Sequence, residues 1–122
     1  MNKLIITAAL CGSLPTKEQN PAVPITPDEM AQDALACYNA GASVVHIHAR
    51  DREGKNCHDR AIFQEIHDKI KAAVPELIVQ LSTGGRAGMS FESRNACLFV
   101  NPEMASLSTG SVNFPTSVYE NS

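Results

Sequence analysis

The sequence predicts an α/β fold, specifically the N-terminal half of a (β/α)8 TIM barrel, and three observations carry that reading. Short β-branched runs alternate four times with stretches of helical apolar spacing and show no hairpin signal, which favours parallel strands joined by right-handed crossovers. Polar residues inside the strands gather on one face toward the C-terminal strand ends, where barrel enzymes place their reactive groups. The turn after the first strand, Cys11-Gly12-Ser13-Leu14, lacks GxGxxG, which disfavours an open nucleotide-binding sheet. A whole barrel needs about 250 residues. The 122 residues therefore read as one partial barrel domain, 1–122, with the C-terminal half absent.

Leu4 to Thr7 is short and β-branched and reads as a buried first strand. Lys3 ahead of the apolar run to Cys11 gives it a passing likeness to a signal segment, but no second basic residue or cleavage site supports that. The stretch from Cys11 to Pro24, with Gly12, Pro15, Pro21 and Pro24, is a loop long enough to suggest function. Thr26-Pro27-Asp28-Glu29 supplies an N-cap, a proline at the first helical position and an acid at the third, so a helix is expected to about Ala40. Met30, Ala34, Leu35 and Tyr38 form its apolar stripe, and Gly41 stands where a left-handed residue ends a helix.

Ser43 to His48 is the second strand, followed by a polar loop from Arg50 to Asp59. Phe63, Ile66, Ile70 and Val74 give helical spacing for a second helix from about Arg60 to Ala73, stopped by Pro75. Leu77 to Ser82 is a third strand, Thr83-Gly84-Gly85 a turn, Ser90 the cap of a helix to about Phe99, and Met104 to Ser108 a fourth strand.

Composition excludes several function classes. Ten Lys and Arg among thirteen Asp and Glu, with net charge −3, leave no basic footprint for nucleic acid or an anionic membrane. The apolar start falls far short of the roughly 18 residues of a membrane span. Cys11, Cys37, Cys57 and Cys97 have no CxxC spacing and read as reduced cytoplasmic thiols.

His46-Ile47-His48 is the sharpest chemical signal. Two imidazoles at i and i+2 on a strand leave the same face about 6–7 Å apart at their roots. They can converge on one metal, zinc first, or simply be satisfied by hydrogen bonds. A zinc centre needs a third protein ligand, and Asp51, His58 and Glu120 are uncompelling choices. Arg50-Asp51 after the strand can orient an anionic substrate, bond a histidine from behind, or form a solvated pair. His58 and His67 read as bland, with His67 exposed among charged helix neighbours. Ser82-Thr83-Gly84-Gly85 offers a hydroxyl and close-approach N–H groups for a carboxylate, although a tight turn alone also explains the glycines. Ser106 and Ser108 share the face of His48 and Ser82.

Taken in order, Thr7-Ala8-Ala9, the segment Thr16-Lys17-Glu18-Gln19-Asn20-Pro21-Ala22-Val23-Pro24, His46-Ile47-His48-Ala49-Arg50-Asp51, Ser82-Thr83-Gly84-Gly85 and Pro102-Glu103-Met104-Ala105-Ser106-Leu107 resemble the β-keto acid cleavage enzymes. The resemblance spans almost the whole chain. It implies a zinc-dependent barrel, cytoplasmic and expected to be a homo-oligomer. Zinc would sit on His46, His48 and a late glutamate that has no counterpart in these 122 residues.

The implied reaction takes a small β-keto acid and acetyl-CoA to acetoacetate and a new acyl-CoA, with zinc polarising the keto oxygen. The substrate carboxylate would rest on Ser82, the Gly85 backbone and Ser106. Leu14 stands where lysine-fermentation members carry a glutamate for a substrate amino group, so a less cationic keto acid is expected. The family's late arginine and aspartate, which act on the nucleophile, also have no counterpart, so the catalytic groups and turnover are expected outside this piece. Two alternatives stand beside this reading. One is a metal-dependent hydrolase of the amidohydrolase kind, whose HxH lies on the first strand; the other is a non-enzymatic half-barrel that only self-associates.

Overall fold

The computed structural model describes residues 3–85 and 88–121. The elements in order are β1 (Thr7–Ala9), α1 (Pro27–Asn39), β2 (Val44–Ile47), α2 (Arg60–Ala73), β3 (Ile78–Leu81), α3 (Phe91–Arg94), a 3-10 helix (Ala96–Val100), β4 (Met104–Ala105), β5 (Val112–Phe114) and β6 (Ser117–Tyr119). The first four strands are parallel and lie in the order β1-β2-β3-β4. Each new strand is added beside the last, which is the winding of a barrel. A doubly wound sheet would reverse direction from its first strands.

The register explains the two faces. Val45 pairs with Val79 and Ile47 with Leu81, and all four are fully buried. They meet Met30 and Ala34 of α1 and Phe63, Ile66 and Ile70 of α2, which form the core. On the other face Ala9, His46, Gln80 and Met104 stand level across the four strands. This face, away from the helices, is the more open one: Ala9 and Met104 are exposed and the two residues between them half-buried.

The second helix begins and ends as its spacing predicts, at Arg60 and Ala73, with Asp59 as its N-cap. The first ends at Asn39, with Gly41 following at φ 105. Its capping box is complete: Thr26 Oγ1 accepts from Glu29 N at 3.2 Å, and Glu29 Oε2 accepts from Thr26 N at 3.0 Å and Ile25 N at 2.8 Å. Lys17 donates to the other Glu29 oxygen at 2.6 Å, which ties the proline-rich loop to the helix start. The Lys17 bond, then the two backbone donors, hold the Glu29 carboxyl down from 4.5 to about 2.

Because the folded value is the lower one, this stabilisation is complete above pH 4.5 and fades as pH falls toward 2. Thr26→Ala is expected to lower stability by about 1 kcal/mol. Thermal melts at neutral pH check it, and an unchanged Tm would remove the capping box as a determinant of α1.

Five expectations are corrected. The first strand pairs from Thr7, not Leu4. Leu4 and Ile5 are 82% and 74% exposed, because β1 has one neighbour and the chain reaches it only where Ile6 O accepts from Ser43 N and Val44 N. Leu35 and Tyr38 of the α1 stripe are exposed, since α1 turns Met30 and Ala34, with Ala31 beside them, to the core. The helix capped by Ser90 breaks at Asn95 and continues as the 3-10 helix. The fourth strand is two residues long. Finally, β5 and β6 form an antiparallel hairpin around Pro115-Thr116, a turn without the Asn-Gly or Asp-Gly signature that announces hairpins.

Candidate active site at the C-terminal strand ends

The ladder carries His46 into hydrogen-bonding range of Gln80, its level partner on β3. His46 Nδ1 lies 2.7 Å from Gln80 Oε1, and an amide oxygen only accepts, so Nδ1 carries the proton. The Nε2 lone pair then faces His48 Nε2 across 3.2 Å, with the rings edge to face at 5.0 Å. Burial, followed by the charges of His46, Arg50 and His58, pushes the His48 imidazole down to about 4, so it is neutral at pH 7. Two nitrogens held about 2.0–2.1 Å from a tetrahedral metal lie roughly 3.3 Å apart. The pair fits two positions of such a centre. Among the described residues no group of three or more His, Cys, Asp or Glu is placed to hold a metal ion.

One level higher the ends of β3 and β4 form a hydroxyl-lined turn. Ser82 Oγ accepts from Gly84 N at 3.1 Å, and Ser106 Oγ accepts from Thr83 N at 3.1 Å. Both hydroxyl oxygens are oriented by backbone donors, which leaves their protons aimed elsewhere. Thr83 Oγ1 donates to Ser106 O at 2.7 Å and clips the two strand ends together. Gly85 is buried, and a Cβ there would sit 2.8 Å from Arg94 Cγ, so only glycine lets the Arg94 stem cover this turn. Ser82, Gly85 and Ser106 are thus brought to one turn, and a Cβ at its Gly84 would lie 3.9 Å from His48 Cε1. Arg94 lies over the turn, its Nε donating to Thr83 O at 3.4 Å.

Arg50 is placed differently from the role of substrate orienter or histidine partner. It is 3% exposed, and its guanidinium donates to Gly12 O from Nε and Nη2, to Pro15 O from Nη2 and to Gly54 O from Nη1, at 2.9–3.2 Å. It binds the loop after β1 to the loop after β2, and Gln80 takes the place behind His46. Asp51 Oδ1 accepts from Glu53 N and Lys55 N, which shapes its own loop. Leu14 is 65% exposed on the loop that Arg50 holds.

His67 is not exposed: its side chain is 16% accessible and lies between Asp68 and Glu103, the residue just before β4. His58 is half-buried, with its ring edge to face with Phe63. Sequence reasoning missed Gln80 as the His46 partner, Arg94, and the hairpin residues Tyr119 and Asn121. Only Gln80 carried a signal, its shared face with Ser82.

A cavity of about 440 Å³ lies between the start of α1 and the start of α2. Asp51, Asp59 and Glu65 outnumber Arg52 on its walls, and Arg50 is committed to carbonyls, so an anionic acid has little to hold there. The strand-end turn is the better candidate.

Polar groups at the C-terminal ends of consecutive parallel strands, with helices outside, define the class: this is the plan of the (β/α)-barrel enzymes. The sequence profile of the beta-keto acid cleavage enzyme family matches residues 3–122. The chain belongs to that family. It is 49% identical over 114 residues to the 3-keto-5-aminohexanoate cleavage enzyme of Acetoanaerobium sticklandii, covering 93% of this chain and 42% of that protein. It is 46% identical over 117 residues to the 3-oxoadipate:acetyl-CoA acetyltransferase of Cupriavidus necator, covering 96% and 41%.

Among solved structures, the ternary complex of ObcA with C4-CoA adduct and oxalate superposes with TM-score 0.73 at 30% identity, covering 84% of this chain and 27% of that one. The chain spans about two-fifths of the length of these curated relatives. Family membership sets aside the hydrolase alternative. Among the described residues, no helix is long and apolar enough to cross a membrane.

Proposed function

We propose that the protein serves acetyl-CoA-dependent cleavage of a small β-keto acid, giving acetoacetate and the acyl-CoA of the remaining keto fragment. The observation that carries this is that Ser82 Oγ and His48 Cε1 close on one point at Gly84, which sets the serine-lined turn beside the convergent His46 and His48 imidazoles. In the proposed mechanism the hydroxyls of Ser82 and Ser106 and the Gly85 N–H bind the substrate carboxylate and turn the keto carbon toward the imidazoles. His46 and His48 would hold zinc, a Lewis acid that when bound polarises the keto oxygen. Gln80 keeps His46 in the tautomer whose Nε2 is free to ligate. The third zinc ligand and the groups that activate the nucleophile are not assigned to any described residue; binding and orientation are this chain's part. A cytoplasmic homo-oligomer goes with this reading.

The proposed substrate is a β-keto acid without a cationic group, because Leu14, on the loop after β1, offers an ammonium no carboxylate partner. Calorimetry on the zinc-loaded chain tests this with 3-oxohexanoate and 3-keto-5-aminohexanoate. We expect 3-oxohexanoate to bind at least about tenfold more tightly, and Ser82→Ala to weaken it. Equal affinity, or preference for the amino acid, would overturn the assignment of Leu14.

A further inference from the structure

We propose that Tyr119, carried by the β5–β6 hairpin, is a substrate-contacting residue, its phenol donating a hydrogen bond to an oxygen of the bound β-keto acid. The inference rests on the proposed function, because it needs the keto acid at the Ser82 turn. Gly84 marks where the groups meet. A Cβ at that position would meet Tyr119 Oη at 3.0 Å, Ser82 Oγ at 3.2 Å and His48 Cε1 at 3.9 Å. The phenol, the proposed carboxylate-binding hydroxyl and one imidazole therefore surround a single point on the glycine turn. A glycine there is what lets the phenol approach.

The hairpin is held for that purpose by few contacts. Of its strand residues only Tyr119 is drawn out of solvent; Val112, Phe114 and Val118 are each more than half exposed. The latch is Asn121, which accepts from Arg94 Nη2, donates through Nδ2 to Ser108 O and through its backbone N to Ser111 Oγ. Arg94 in turn lies over Gly85 and bonds Thr83 O, so the latch closes on the same turn. Among the described residues the phenol's nearest hydroxyl partner, Ser108 Oγ, is 3.5 Å away, too far for a strong O–H bond. A half-buried phenol with no strong hydrogen-bond partner among the described residues, set beside a serine hydroxyl and an imidazole, is a donor placed to meet an acceptor. The keto acid supplies one, since charge grows on its oxygens during cleavage.

The test uses the zinc-loaded 122-residue chain with 3-oxohexanoate as probe. Tyr119→Phe keeps the ring and removes the donor, and is expected to weaken the probe about tenfold while zinc affinity stays unchanged. Asn121→Ala frees the hairpin and is expected to give a similar loss. In a Tyr38→Phe background Tyr119 is the sole tyrosine, and its 13Cζ resonance is expected to move on addition of the probe, which a purely structural residue would not show. Parent-like affinity in Tyr119→Phe, or a weaker variant with an unmoved resonance, overturns the role of Tyr119 alone. A parent chain that takes up no probe overturns the carboxylate site and Tyr119 with it.

Discussion

If the proposed site holds zinc, His46→Ala combined with His48→Ala is expected to lower the zinc affinity of the chain at least about a hundredfold, because the two imidazoles would supply the two convergent nitrogen ligands. The mechanism predicts more than a loss. Gln80→Leu leaves both imidazoles in place yet frees the His46 tautomer, and outer partners of this kind are worth about 10–100-fold in metal affinity. It should therefore fall between the parent and the double variant. Competition with a chelating dye at neutral pH gives all three constants. If the double variant binds zinc like its parent, the metal sits elsewhere, with the four free cysteines the first place to look.

The second large effect concerns stability. Arg50→Leu removes a buried guanidinium that serves three backbone carbonyls across two loops and that pairs with no carboxylate among the described residues. Leaving a buried acceptor unpaired costs about 1–3 kcal/mol. Pro15 is exposed, so water can replace one bond, and the expected net loss is about 2–3 kcal/mol. Arg50→Lys does not restore it, since one ammonium cannot span Gly12, Pro15 and Gly54. The freed loop carries Lys17, so trypsin cleavage after that residue should accelerate well beyond what the Tm change alone explains. Unchanged cleavage and Tm would show that the loop is held by other contacts.

These two cases also show what was legible in the sequence. The histidine pair, Ser82 and Ser106 could be set on one face because side chains alternate strictly along a strand, and the register then brought them level. The two long helices were legible from their ends, where Thr26, Pro27 and Glu29 leave an unambiguous chemical mark and Pro75 forces a stop. Leu4-Ile5-Ile6 misled because apolarity reports a wish for burial, not the register at which a neighbour begins. Arg50 was visible as a charge but not as a hub, since its partners are carbonyls 4 to 38 residues away and carbonyls have no sequence signature. The hairpin was invisible for a related reason: its Pro115-Thr116 turn lacks the residues that favour positive φ, and its docking depends on Arg94 and Asn121 meeting across the turn.

The central claim is that the C-terminal ends of β2, β3 and β4 bind a keto acid. It is tested most directly by following backbone amide shifts of the zinc-loaded chain as 3-oxohexanoate is added. The account predicts that the largest movements fall on Ser82, Thr83, Gly84, Gly85 and Ser106, with His48 next. Movements centred instead on Thr26, Arg52, Asp59 and Glu65, around the cavity between the helix starts, would contradict it.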